Sequence, residues 1–121
     1  MSAWVWIAVV FVGGIGAIAR FELDSLISQA RGRRFPLGTL AINVSGAFVL
    51  GVLTGLGVRG NLEVIAETAT IGSYTTFSTW MLESYRLVED AEPRPAAFNL
   101  LVSLALGFGA ALLGRTIGLQ L

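Results

Sequence analysis

Long apolar runs, parted by three short charged connections, leave this chain one environment in which to fold. Ala3–Ala19 holds no charged residue. Further apolar stretches follow at about Leu37–Val58, Leu62–Val88 and Ala96–Leu119. A helix of ~20 residues crosses the hydrocarbon core of a bilayer, so four of them use about 80 positions. The whole chain has 121 residues, and the remainder suffices only for connections. Charged residues make up 13%, against about 25% in a soluble domain, and the mean hydropathy is +0.76. The expectation is an all-α integral membrane subunit with four transmembrane helices, whose function lies inside the bilayer. The N-terminus shows neither a basic leader nor a small-residue cleavage site, so Met1–Ala19 is expected to be a retained first span.

The connections carry their own signals. The first span is expected to continue as an amphipathic helix through "RFELDSLISQA", residues 20–30. "RGRRF" (Arg31–Phe35) reads as a basic loop, with Pro36 suited to the first turn of the next helix, where its missing N–H costs nothing. In "RGNLE" (Arg59–Glu63), Gly60 is expected to stop one helix and Asn61 to cap the next. "EDAEPRP" (Glu89–Pro95) reads as an exposed acidic loop. Loops one and three carry Arg31, Arg33, Arg34 and Arg94, the opposite side Arg59 and Arg115. That is a mild positive-inside bias.

Absent residues exclude chemistry. There is no Cys and no His, which removes thiolate and imidazole metal sites and Cys or Ser–His nucleophiles. All eight basic residues are Arg, so Schiff-base chemistry is excluded too. A formal net charge of zero gives no basic footprint for nucleic acid.

Small residues recur every four positions: Gly51 and Gly55 in span two, then Ser103, Gly107 and Ala111 in span four, with Gly114 and Gly118 on another face. Such stripes let helix backbones approach closely in lipid. "GGIGAIAR" (Gly13–Arg20) has the look of a dinucleotide fingerprint, but it lacks a preceding strand and reads as packing.

Three groups of polar residues sit where lipid rejects them. Thr39 and Asn43 share a face of span two, and Asn99 and Ser103 share a face of span four. Each pair suits an interhelical hydrogen bond, and two amide-bearing stripes together suggest a shared hydrated path. The third group is "GSYTTFSTW", Gly72–Trp80, preceded by Thr68 and Thr70. Ser, Thr and Gly weaken a helix, and hydroxyls compete for its carbonyls. Span three is therefore expected to break near its middle, unless the hydroxyls all bond back to their own backbone. Irregular backbone at membrane depth must be buried in protein or line a hydrated cavity. Freed carbonyls there suit a cation, and amides and hydroxyls suit an anion. Arg20 and Glu83 lie toward the ends of spans one and three, where snorkelling makes charges affordable.

In these motifs the chain resembles the Fluc (CrcB) family of fluoride channels. The resemblance rests on "GGIGAIAR", "PLGTLAINVSGAFVLG" (Pro36–Gly51) and "TTFSTW" followed by Glu83, and covers essentially the whole chain. It implies an antiparallel, dual-topology homodimer in a prokaryotic cytoplasmic membrane, with two fluoride pathways per dimer. Asn43 matches the family's pore asparagine, Phe77 the first of its phenylalanine pair, and Ser78 and Thr79 the hydroxyls between. Trp80 stands where the second phenylalanine is usual, and Ser73–Tyr74 where smaller residues are common. The resemblance further implies a structural sodium ion at the dimer centre, held by backbone carbonyls at Gly72 and Thr75, with Arg20 and Glu83 at the family's charged positions. Ser103 joins the expected pore residues.

The chemistry agrees with that resemblance. Fluoride is small and tightly hydrated, so a pore must offer several donors at once, such as hydroxyls and an amide NH₂. Aromatic ring edges carry the positive part of the quadrupole. The competing reading, a small dual-topology multidrug or guanidinium exporter, needs a carboxylate in the first span, and Ala3–Ala19 has none. A non-transporting structural subunit needs neither aligned amides nor a broken span.

Overall fold

In the computed structural model, residues 2–32 and 35–121 are described, apart from the side chains of Ala69 and Thr70. Arg33, Arg34 and the Thr70 hydroxyl therefore lie outside the described residues. Every regular element among those described is helical. Helix α1 (Ala3–Arg31) is continuous over 29 residues, so the apolar and amphipathic parts form one rod. It ends at Gly32, whose positive φ of 80° suits a residue without Cβ.

Helix α2 spans Leu37–Leu56, with Pro36 one position earlier than expected, just outside the first turn. Its stop is Gly57, not Gly60. Gly57 adopts the left-handed conformation and its N–H reaches the carbonyls of Leu53 and Thr54, the common way of closing the last turn. Gly60 instead opens the next segment, and Asn61 is that segment's first helical residue and makes no side-chain cap. The two glycines in "GVRG" compete for the same role, and the one nearer the end of the apolar period takes it.

The third segment is broken, as its composition predicts. It comprises α3 (Asn61–Glu63), a π-helical stretch (Val64–Ile71), α4 (Gly72–Tyr74), an interruption at residues 75–77, and α5 (Ser78–Glu89). At 1.5 Å per residue, α5 with its 12 residues rises only about 18 Å, too little to cross the core alone. Helix α6 (Pro93–Gln120) opens with proline inside its first turn, three residues before the expected start. Helices α1, α2 and α6 are each long and apolar enough to cross a membrane.

Helix α2 packs chiefly against α6, while the first part of the broken segment packs on α1 and α5 packs on α6. Along the contact of α2 with α6 the backbones touch. A Cβ on Gly114 would run into the Phe48 carbonyl, and one on Gly51 into that of Ala111; Gly118 and Gly55 are equally tight against Val52 and Arg115. The small-residue pairing is thus Gly51 and Gly55 with Ala111, Gly114 and Gly118. Gly107 faces open space, which corrects the expected stripe of Ser103, Gly107 and Ala111. Increasing numbers on α2 meet increasing numbers on α6, so the two helices run parallel. Helix α1 closes against α2 where Asp24 lies over Gly38.

Candidate functional site

The interruption begins at Thr75, whose ψ of 160° is extended and turns the chain out of helix. A break strands N–H and C=O groups that a continuous helix would pair. Helix α2 supplies replacements. Asn43 Nδ2 donates to the Thr76 carbonyl at 2.9 Å, and the Thr76 N–H donates to Asn43 Oδ1 at 2.8 Å. One side-chain amide thus stands in for two lost backbone partners. Three residues earlier than Thr79, Thr76 Oγ1 accepts that residue's N–H at 3.2 Å, the geometry of an N-cap. Upstream, Thr75 sends both its N–H and its hydroxyl to the Ile71 carbonyl, at 2.9 and 3.0 Å.

Gly46 lets this happen. A Cβ there would collide with Thr75 Cγ2 and crowd the Tyr74 ring. The Tyr74 hydroxyl lies 2.9 Å from Ser45 Oγ, which is itself 3.1 Å from the Ile42 carbonyl. The break is therefore tied to α2 at Tyr74 and at Thr76.

Two consequences concern Gly72 and Thr75. In an unbroken helix the Gly72 carbonyl would accept the Thr76 N–H, and the Thr75 carbonyl the Thr79 N–H. Both amides are directed elsewhere, to Asn43 Oδ1 and to Thr76 Oγ1.

A groove of ≈ 300 Å³ runs beside the break, lined by Asn43, Ala47, Leu50, Ile71, Thr75 and Thr76 with Phe77. None of these residues carries a formal charge. Phe77 is 69% exposed on the subunit, and its ring meets Trp80 edge-on, with centroids 5.7 Å apart at 74°. Ser78 and Thr79 are exposed at the start of α5. On the other side of Thr76, Arg20 lines a cavity of ≈ 220 Å³ with Asp24, Thr39, Ile42 and Thr79. Glu83 lines a separate cavity of ≈ 200 Å³ with Asp24, Ser28, Arg86 and Asp90.

Of the residues expected from sequence, Asn43, Thr75 and Phe77 come together at one groove. Ser103 does not join them. Its hydroxyl donates to Asn99 Oδ1 at 3.4 Å, and Asn99 Nδ2 donates to Ser84 Oγ at 2.8 Å. The two asparagines bond different parts of the broken span. Asn43 holds the break, while Asn99 grips the middle of α5, because their helices meet different arms of the broken span. Trp80 directs its indole N–H to the Asn99 carbonyl, at 3.4 Å, rather than toward the groove. Sequence reasoning missed Thr76, the hub of the break. Its signal was a hydroxyl residue immediately ahead of a resuming helix and three before Thr79.

Comparison with known proteins adds relatedness to this geometry. The family described as CrcB-like protein, Camphor Resistance (CrcB), matches residues 7–115. A "Fluoride-specific ion channel FluC 2" of Mycolicibacterium paratuberculosis is 46% identical over 113 residues, 93% of each chain. A "Fluoride-specific ion channel FluC 1" of Leifsonia xyli subsp. xyli is 42% identical over 98% of this chain and 89% of its own. A "Fluoride-specific ion channel FluC" of Coxiella burnetii is 35% identical over 95% and 98%, respectively.

Proposed function

The chain belongs to the CrcB-like family, and from that membership we propose that it is the subunit of a fluoride-selective channel of the cytoplasmic membrane, passing the ion passively. It conducts ions and is not an enzyme. The observation that carries this reading is near-full-length similarity to proteins named fluoride-specific ion channels. The geometry supplies a physical route. Fluoride must exchange water for donors, and the break gathers several. Asn43 spends one amide N–H on Thr76 and retains a second. The exposed Ser78 hydroxyl and the amide end of α5 add to it, since helix N-termini favour anions, while Thr79 lines the cavity on the other side of Thr76. The Phe77 ring edge contributes its positive rim. An uncharged groove keeps the ion from being trapped, because conduction requires binding weak enough to release.

The functional unit in this proposal is an antiparallel, dual-topology homodimer with two pathways. Phe77, exposed on the single subunit, then faces a pore completed by the second copy. A sodium ion at the dimer centre fits the carbonyls of Gly72 and Thr75, because their helical N–H partners are bonded elsewhere and backbone oxygens at a helix break suit a hard monovalent cation. Trp80 supports the pore through its ring contact with Phe77, with its N–H already engaged.

Purified protein in liposomes should release fluoride and retain chloride; equal release of the two ions would defeat the proposal. Replacing sodium with a bulky organic cation throughout should lower both flux and dimer retention. A C-terminal tag should be found on both faces of the membrane.

A further inference from the structure

The two helix faces that bound the groove beside the break also bound a second cavity. On α2 the groove residues Asn43, Ala47 and Leu50 form one stripe, and Thr54 is its next member, four residues on. On the third segment Thr75 and Ile71 line the groove, and Glu67 and Glu63 continue that four-residue series. Thr54, Glu63 and Glu67 meet in a cavity of ≈ 370 Å³, together with Gly57 and Arg59. This cavity lies at the C-terminal end of α2, which rises about 16 Å from Asn43 to Thr54.

Charge separates the two spaces. The groove lining is uncharged, whereas the second cavity holds one guanidinium and two carboxylates. Arg59 follows the C-terminus of α2, whose partial negative charge it offsets. Glu63 is exposed, while Glu67 is half-buried, one turn nearer the groove and inside the third apolar stretch. A carboxylate within a spanning segment is costly unless it faces a water-filled cavity or a partner. Glu67 lines such a cavity, in register with the groove.

The geometry points to a hydrated, negatively charged mouth at this end of the groove, where Glu67 sets the rate of fluoride passage by lowering the local anion concentration. The consequence for fluoride rests on the channel reading; the mouth and its potential do not. A unit charge at ~7 Å in water changes the local concentration of a monovalent ion about threefold. Its reach is about 8 Å at physiological ionic strength and grows as salt is removed.

The test uses the full-length dimer. The chain contains no cysteine, so Thr54→Cys places a single thiol per subunit in the mouth. Its rates of modification by an anionic and by a cationic methanethiosulfonate are compared in detergent. At low ionic strength Glu67→Gln should speed the anionic reagent about threefold and slow the cationic one as much, shifting their ratio about tenfold. In liposomes, without the cysteine, Glu67→Gln should raise the initial rate of fluoride efflux about threefold, and Arg59→Gln should lower it. Salt at about 1 M, where the Debye length is about 3 Å, should erase both changes. If Glu67→Gln does not assemble, Glu67→Ala removes the same charge, and Arg59→Gln should move both readouts the opposite way. An unreactive thiol, a reagent ratio indifferent to Glu67, or unchanged efflux from Glu67→Gln beside a conducting parent would overturn the inference. A parent that passes no fluoride defeats the channel reading instead, and the reagent ratio alone then decides whether Glu67 governs the potential of the mouth.

Discussion

Two faces of α2 do opposite kinds of work. Asn43, Gly46, Ala47 and Leu50 recur at helical spacing and meet the break. Phe48, Gly51, Val52 and Gly55 recur at the same spacing and meet α6. The two stripes are offset by five residues, about 140° around the helix. Where the partner helix is complete, all its backbone groups are satisfied internally, and α2 offers glycine so that the backbones can touch. Where the partner is interrupted, α2 offers an amide that replaces the missing bonds. Lipid supplies no hydrogen bonds, so an interruption survives only where protein or a hydrated cavity supplies them, and here Asn43 does so. The α6 face is thus a matter of close packing, and the break face a matter of replacing lost backbone bonds.

The sharpest way to break that distinction is Asn43→Asp. The carboxylate still accepts the Thr76 N–H, but it sets an acceptor against the Thr76 carbonyl and brings negative charge to an anion path. Losing a donor to a buried partner costs about 1–3 kcal/mol, and fluoride flux should vanish while the dimer still elutes intact. Undiminished flux would reduce Asn43 to a packing residue.

Gly114→Leu probes the other face with the next largest effect. Its side chain would enter the space of the Phe48 carbonyl, and overpacking of this kind costs about 1–3 kcal/mol. Thermal stability in detergent should fall clearly, with flux per folded dimer close to the parent's. A loss of flux without loss of stability would show that the two faces are not separate.

Tyr74→Phe should do least. It removes the hydroxyl that meets Ser45, and polar contacts between membrane helices average about 0.6 kcal/mol. Flux should drop no more than a few-fold, because Asn43 still holds Thr76. A complete loss would make Tyr74, not Asn43, the principal tie of the break.

Much of this was legible in the chain itself. Apolar run lengths determined the spans, and the hydroxyl-rich stretch from Gly72 determined that the third would break, because both are local properties of composition and helical preference. Asn43 was legible as a buried amide at a fixed spacing from Thr39. Its partner was not, since nothing local says which backbone atom of another span stands opposite. Likewise the sequence marks Gly51, Gly55, Gly114 and Gly118 as small, but a four-residue stripe has several possible mates. Which stripes meet depends on how far each helix is rotated and slid along its neighbour. That register is decided by close contact of whole helices, and it alone parted Ser103 from the groove, turned the Trp80 indole toward Asn99, and placed Thr76 within reach of Asn43.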